Sequence, residues 1–312
     1  MGMFCLNLMR IALELARENR AYESLATKFF QHYVYVGAAM KKMGGGGYEL
    51  WSEKDGFFYD ALCYPDGRYE KFRVRSLVGL IPLFAVERLE EDWIEPFTDF
   101  RHSLHWFLEN RQEIVQRCVT THRHGDQVVH ILAMMTPDQL RRILTRVWDP
   151  REFRSEYGLR SLSKFHEANP FRFGQDRVRY DPAEASENLK GGNSNWRGPI
   201  WFPTAFMMIE SLRKLQKAYG QEFLVPSAVE GEESVTLEQI ARGFAERLKR
   251  IFLRDASGNR AVFGACELFQ KDPHWRDNVP FYEYFHGDTG RGVGASHQTG
   301  WTGLIANIID EW

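Results

Sequence analysis

The sequence predicts an all-α fold of the α/α-toroid kind. Three observations carry that expectation. Apolar residues recur at helical spacing in segments of about sixteen residues that follow one another along the chain. Strand–helix–strand alternation is absent, which argues against a parallel sheet. Long loops and hairpins fall at every second junction, as in a toroid that gathers its loops at one end; a plain bundle has short connections throughout. No repeat of the solenoid kind is visible.

The 312 residues suffice for one large domain or two ordinary ones, and 44% hydrophobic content is ordinary for a globular protein. A net charge of −2 gives no reason to expect a nucleic acid or an anionic membrane as partner. Aromatic content is 14%, with nine Trp and 23 Phe, which suits stacking surfaces or a large core. Cys5, Cys63, Cys118 and Cys266 are scattered and form no CxxC pair. Neither a zinc site nor a disulfide framework is expected, and the thiols read as reduced and cytoplasmic. No run of eighteen apolar residues predicts a membrane span, and Arg10 and Glu14 break up the N-terminus too early for a signal peptide. No metal and no cofactor is expected.

Residues 3–18 place Phe4, Leu8, Ile11 and Leu15 at helical spacing, with no capping residue ahead of them. Residues 21–43 continue as a second helix lined by Tyr22, Leu25, Phe29, Phe30, Tyr33 and Val36, ended by the run Gly44 to Gly47. Asp55-Gly56 and Pro65-Asp66-Gly67 are turn signals, so residues between 50 and 72 read as a short β-hairpin region. Residues 74–91 are expected to be a third helix kinked at Pro82, and 95–110 a fourth. Residues 111–130 look irregular and hold His122, His124 and His130 beside Asp126. That spacing matches no metal geometry, and polar packing is the favoured account. Thr136-Pro137 starts a helix, Thr136 as N-cap and Pro137 at the first helical position. Residues 149–203 form a connection so long that function is the expected reason for it. Helices follow over 204–219 and 236–253, a turn at Asp255-Ala256-Ser257-Gly258, and a last helix from Thr299.

One loop stands out: Gly191-Gly192-Asn193-Ser194-Asn195-Trp196-Arg197-Gly198-Pro199-Ile200-Trp201. Tryptophan faces, asparagine and arginine suit a sugar ring, which has apolar C–H faces and polar edges. A packed connector with two core tryptophans accounts for the same residues equally well. Glu283 sits among Tyr282, Tyr284 and Phe285, surroundings that tend to raise a carboxyl pKa and suit acid–base work. Inverting glycoside hydrolysis needs a second carboxylate roughly 6.5–9.5 Å away. Asp60, Asp55 and Asp288 are the candidates, and none stands out.

The tryptophan loop, together with Phe281-Tyr282-Glu283-Tyr284 and Ser296-His297-Gln298-Thr299-Gly300-Trp301-Thr302, resembles the C-terminal catalytic portion of glycoside hydrolase family 63. That family holds processing α-glucosidases and mannosylglycerate hydrolase-like enzymes. Asp55 to Asp60 and Gly158 to Ser163 also look like family segments, so the resemblance covers essentially the whole chain. It implies an (α/α)6 barrel over residues 1–312 as a single domain, incomplete at the N-terminus, and inverting hydrolysis of an α-linked oligosaccharide or small glycoside. Glu283 matches the general base. Asn195, Trp196, Arg197, Trp201, Tyr284 and Trp301 match substrate-binding positions. The general acid is implied to be an aspartate upstream of Met1, which leaves Asp60 as a weak substitute and a missing N-terminal half as a needed partner. Two other readings stand beside this one. One is a sugar-binding chain without the acid; the other is a sugar isomerase using His286 or His297.

Overall fold

The computed structural model describes residues 1–41, 49–124, 127–185 and 196–312, without the side chain of His124. The run Gly44 to Gly47, Asp126 and the opening of the tryptophan loop through Asn195 lie outside the described residues. The all-α (α/α)6 expectation does not hold. Among the described residues fifteen short strands pair into seven small sheets beside the helices. The expected kinked helix at 74–91 is instead two 3₁₀ turns, Leu77–Gly79 and Ile81–Phe84, followed by a strand, Val86–Glu90. The irregular stretch after Arg111 contains a short helix, Gln112–Val115, and the strands Val119–His124 and Gln127–Ala133. These make one antiparallel sheet with Gln127–Ala133 in the middle, Leu89 and Thr121 both opposite His130. Pro82 has no N–H for a continuing helix and ends in a tight turn. The apolar run behind it then pairs as a strand. No helix among the described residues is long and apolar enough to cross a membrane.

The described chain divides into two compact units. The first comprises Met1–Phe72, Gly79–Arg142 and Lys214–Gly220. Its core joins the helices Gly2–Ala16, Tyr22–Lys41 and Thr98–Asn110 through Leu6, Met9, Leu13, Phe30, Tyr33, Phe100 and Leu104. Phe30 meets Phe100 and Phe107 edge-on, with ring centroids 6.2 and 5.8 Å apart. The buried Glu23 carboxylate accepts the N–H groups of Asp99 and Phe100 at 2.8 and 3.2 Å, which satisfies the open end of the 98–110 helix and complements its dipole. The face of the first helix that shows helical spacing in the sequence, Phe4, Leu8, Ile11 and Leu15, is the exposed one. The opposite face is apolar too, so periodicity alone does not select the buried side. Two hairpins pair Trp51–Ser52 with Phe57–Phe58 and Asp60–Cys63 with Tyr69–Phe72, their turns closed by Gly56 and Gly67 at φ 61° and 84°.

The second unit comprises Arg73–Val78, Ile143–Arg213 and Gln221–Trp312. Phe202, Phe252 and Phe285 form an aromatic triangle with centroids 5.4–5.8 Å apart. Trp148 packs edge-on against Phe244, 5.5 Å away. The helix Leu237–Phe252 starts in a full capping box. The Gln239 N–H donates to Thr236 Oγ1 at 3.2 Å, and the Thr236 N–H donates to Gln239 Oε1 at 2.7 Å. The Thr136-Pro137 start expected from sequence has the same reciprocal pair, with Gln139 as partner at 3.3 and 3.0 Å. Thr236→Ala is expected to lower stability by about 1 kcal/mol, read as a shift in the urea midpoint at unchanged slope.

Candidate functional site

The site is built from three short extended segments of the second unit. Ile200 and Phe285 form an antiparallel bridge, exchanging N–H···O bonds of 2.8 and 2.9 Å. Tyr284–Phe285 pairs on its other side with Gly292–Val293. The bridge sets Trp201 directly across from Tyr284, because antiparallel partners step in opposite directions. The two rings stack with centroids 4.7 Å apart and planes 23° from parallel. Trp301 lies 5.4 Å and Trp196 6.5 Å from Trp201, both tilted. Four aromatics expected from sequence are thus brought together. Trp201 and Tyr284 are 8% and 2% exposed and form the packed base of the cluster with Val293. Trp301 is 37% exposed and Trp196 half-buried, so these two offer open faces.

Glu283 immediately precedes this stack and is half-buried. Its N–H donates to the Ala295 carbonyl at 2.9 Å, and the Ala295 N–H donates back to its Oε2 at 3.1 Å. One carboxylate oxygen is therefore anchored by backbone. Among the described residues Oε1 takes no hydrogen bond, which is the arrangement a water-activating base needs. The Thr302 hydroxyl donates to the Tyr282 carbonyl and ties the start of this segment to the turn that carries Trp301.

Glycines missed by the sequence reading make the approach possible. A Cβ on Gly294, at φ +74°, would meet Glu283 Oε2 at 2.8 Å and the Tyr284 ring at 2.5 Å. One on Gly292 would sit 2.1 Å from the Tyr282 ring. The alternating glycines of Gly290-Arg291-Gly292-Val293-Gly294 were the available signal. Gly198 of the tryptophan loop has φ +150°, and a Cβ there would fall 2.5 Å from the Tyr180 ring.

The same unit holds a partly buried polar cluster that composition did not reveal. Arg160 Nη2 and the Tyr180 hydroxyl both donate to Asp288 Oδ1, at 3.0 and 3.1 Å, and Lys164 Nζ lies 3.2 Å from it. Burial pushes the Asp288 carboxyl up, but Arg160 and Lys164 outweigh burial and hold it below the usual carboxylate range. Such a group stays ionised and is unsuited to be a general acid. Asp55 is occupied by its own turn, accepting from Ser52 Oγ at 3.1 Å. Asp60 is half-buried on the strand Asp60–Cys63 of the first unit. His286 Nδ1 accepts the Asp288 N–H at 3.2 Å, and His297 Nδ1 accepts the Phe281 N–H at 3.3 Å, so one nitrogen of each ring braces backbone. Burial also lowers the pKa of His286.

Arg197 is 3% exposed and its carbonyl accepts the Asp181 N–H at 2.7 Å. With Trp196, Ser76 and Leu162 it lines a cavity of about 60 Å³. A larger cavity of about 870 Å³ is lined by Tyr157, Arg250, Arg254, Arg260, Lys271 and Thr289 among others, and neither Glu283 nor the tryptophans line it. The aromatic cluster is the better candidate because, among the described residues, it joins a carboxylate with an unbonded oxygen to open ring faces. Of the histidines seen in sequence, His122 packs edge-on to Tyr219 with centroids 5.5 Å apart. His130 turns instead toward Glu91.

Residues 127–302 match the family described as the mannosylglycerate hydrolase MGH1-like glycoside hydrolase domain. The chain is 41% identical over 329 residues to the uncharacterized protein YMR196W of Saccharomyces cerevisiae, covering 100% of this chain and 30% of that protein. It is 25% identical over 172 residues to the mannosyl-oligosaccharide glucosidase of Saccharomyces cerevisiae and 26% identical over 173 residues to a probable mannosyl-oligosaccharide glucosidase of Schizosaccharomyces pombe. Each of these two alignments covers 55% of this chain and 15% of the relative. The chain therefore spans less than a third of the curated relatives it matches.

Proposed function

The chain belongs to the mannosylglycerate hydrolase MGH1-like glycoside hydrolase domain family, and from that premise we propose that it hydrolyses an α-glucosidic bond with inversion, Glu283 acting as general base. The observation that carries the reading is the Glu283 carboxylate, anchored at Oε2 by Ala295 and, among the described residues, unbonded at Oε1, next to the Trp196–Trp201–Trp301 cluster. Oε1 takes a proton from water as that water attacks the anomeric carbon. The exposed faces of Trp301 and Trp196 flank the sugar, and the Trp201–Tyr284 stack fixes their position. The choice of a glucoside rests on the two relatives named as mannosyl-oligosaccharide glucosidases; mannosylglycerate, from the family description, is the competing substrate. The glycosidic C–O bond breaks on the opposite face, and the departing oxygen takes its proton from a second carboxylic acid. A cytoplasmic location belongs to the same proposal and rests on four unpaired thiols.

p-Nitrophenyl α-glucoside tests the base directly, because its leaving group departs without help from an acid. Proton NMR of the first product is expected to show β-glucose, which mutarotates afterwards. Release of α-glucose first would mean retention and overturn the mechanism. Saturable binding with no turnover would replace hydrolysis by sugar binding alone.

A further inference from the structure

We propose that Glu91, His105 and His130 of the first unit form a binding site for a zinc-type divalent cation. Among the described residues these three side chains present one ligand atom each, all within 4.8 Å of one another. They come from three elements. Glu91 opens the short helix Glu91–Ile94 directly after the strand Val86–Glu90, His105 lies on the helix Thr98–Asn110, and His130 lies on the central strand Gln127–Ala133. Glu91 Oε2 is 2.9 Å from His130 Nε2, and His105 Nε2 lies 3.2 Å from that oxygen and 3.0 Å from Oε1. Around a tetrahedral zinc with ligands at about 2.0–2.1 Å, neighbouring donor atoms lie roughly 3.3 Å apart. The two carboxylate–imidazole distances are therefore close to the spacing that a bound ion imposes. Two imidazoles and one carboxylate are also the donor set that borderline divalent ions favour over magnesium or calcium.

The surroundings fit the same role. Strand register puts Thr121 opposite His130, and Thr121 Oγ1 lies 2.9 Å from His130 Nδ1. With the Nδ1–H donating to that hydroxyl, the Nε2 lone pair faces inward as a ligand must. Arg101 Nε donates to the other carboxylate oxygen, Glu91 Oε1, and orients it. His130 is 3% exposed, whereas the His105 side chain is 39% exposed. A cavity of about 450 Å³ lined by Thr98, Arg101, His102, His105, Trp106 and Glu109 adjoins the site at His105, its most exposed member. The ion would tie the 98–110 helix to the sheet. N–H groups of the imidazoles donating to Glu91 would explain the same distances without an ion, and titration separates the two.

The untagged full chain, stripped with a chelator, is titrated calorimetrically with zinc sulfate and, as control, magnesium chloride. One zinc per chain is expected, with a melting temperature that rises with zinc concentration and no response to magnesium. Loss of an outer partner of a metal ligand costs about 10–100-fold in affinity, so removing a ligand costs at least that. His105→Ala, at the exposed end of the site, is expected to weaken zinc binding by about 100-fold or more, and Glu91→Gln serves if that variant fails to fold. Absence of saturable one-to-one uptake, or a loss below about tenfold in the folded variant, would overturn the assignment.

Discussion

Arg160→Leu is expected to destabilise the chain by about 3 kcal/mol, the lower end of the range for breaking a buried ion pair from one side. The Arg160 side chain is 7% exposed. Its Nη1 donates to the carbonyls of Pro150, Glu152 and Arg154 at 3.0, 3.3 and 2.8 Å. Its Nε donates to the Tyr180 hydroxyl at 3.1 Å and its Nη2 to Asp288 at 3.0 Å. Leucine removes all five bonds and the main counter-charge of Asp288, while the Glu152 carbonyl keeps the Lys164 N–H at 3.0 Å. Lys164, 3.2 Å from Asp288, remains and limits the loss. The folded Asp288 titrates below its usual range. Its contribution is full above the unfolded value near 3.9 and is lost as pH falls through that value toward the folded one. The variant should therefore lose less stability than the parent between about pH 5 and pH 2. Urea unfolding at pH 7 and at pH 3 reads both effects. A shift under about 1 kcal/mol at pH 7 would mean the network is not holding the second unit together.

The cluster escapes sequence reading because its members are far apart. Arg160 and Asp288 are 128 residues from one another, and although the segment Gly158 to Ser163 and Asp288 each stand out in the sequence, nothing local pairs them. Glu91, His105 and His130 converge in the same way, from a helix start, a helix face and a strand. Helix starts were legible: Thr136-Pro137 and Thr236 act through bonds to a residue three positions away, which sequence shows directly. The sheet was not. His130, Ile131, Leu132 and Ala133 are all buried, so the central strand shows no alternation to mark it. The run from Leu77 to Val86 satisfies helical spacing as well as it satisfies two tight turns and a strand. At the candidate site, residue types suggested either a sugar platform or a packed connector, and resemblance paired Trp196 and Trp201 with Glu283. The 4.7 Å stack that joins them depends on a bridge between Ile200 and Phe285, 85 positions apart in sequence.

Glu283→Gln measures the role of Glu283 most directly. Glutamine keeps the size of the side chain and an oxygen to accept the Ala295 N–H, now 3.1 Å from Oε2. The packing of Tyr284 on Trp201 is left in place, so the melting temperature should stay close to the parent's. What glutamine cannot do is take a proton from water. Turnover of p-nitrophenyl α-glucoside should fall about 10²–10⁴-fold, the usual worth of a positioned base, with KM little changed because the lost interaction belongs to the transition state. A folded Glu283→Gln variant that turns over substrate at the parent's rate would contradict the assignment of Glu283 as base.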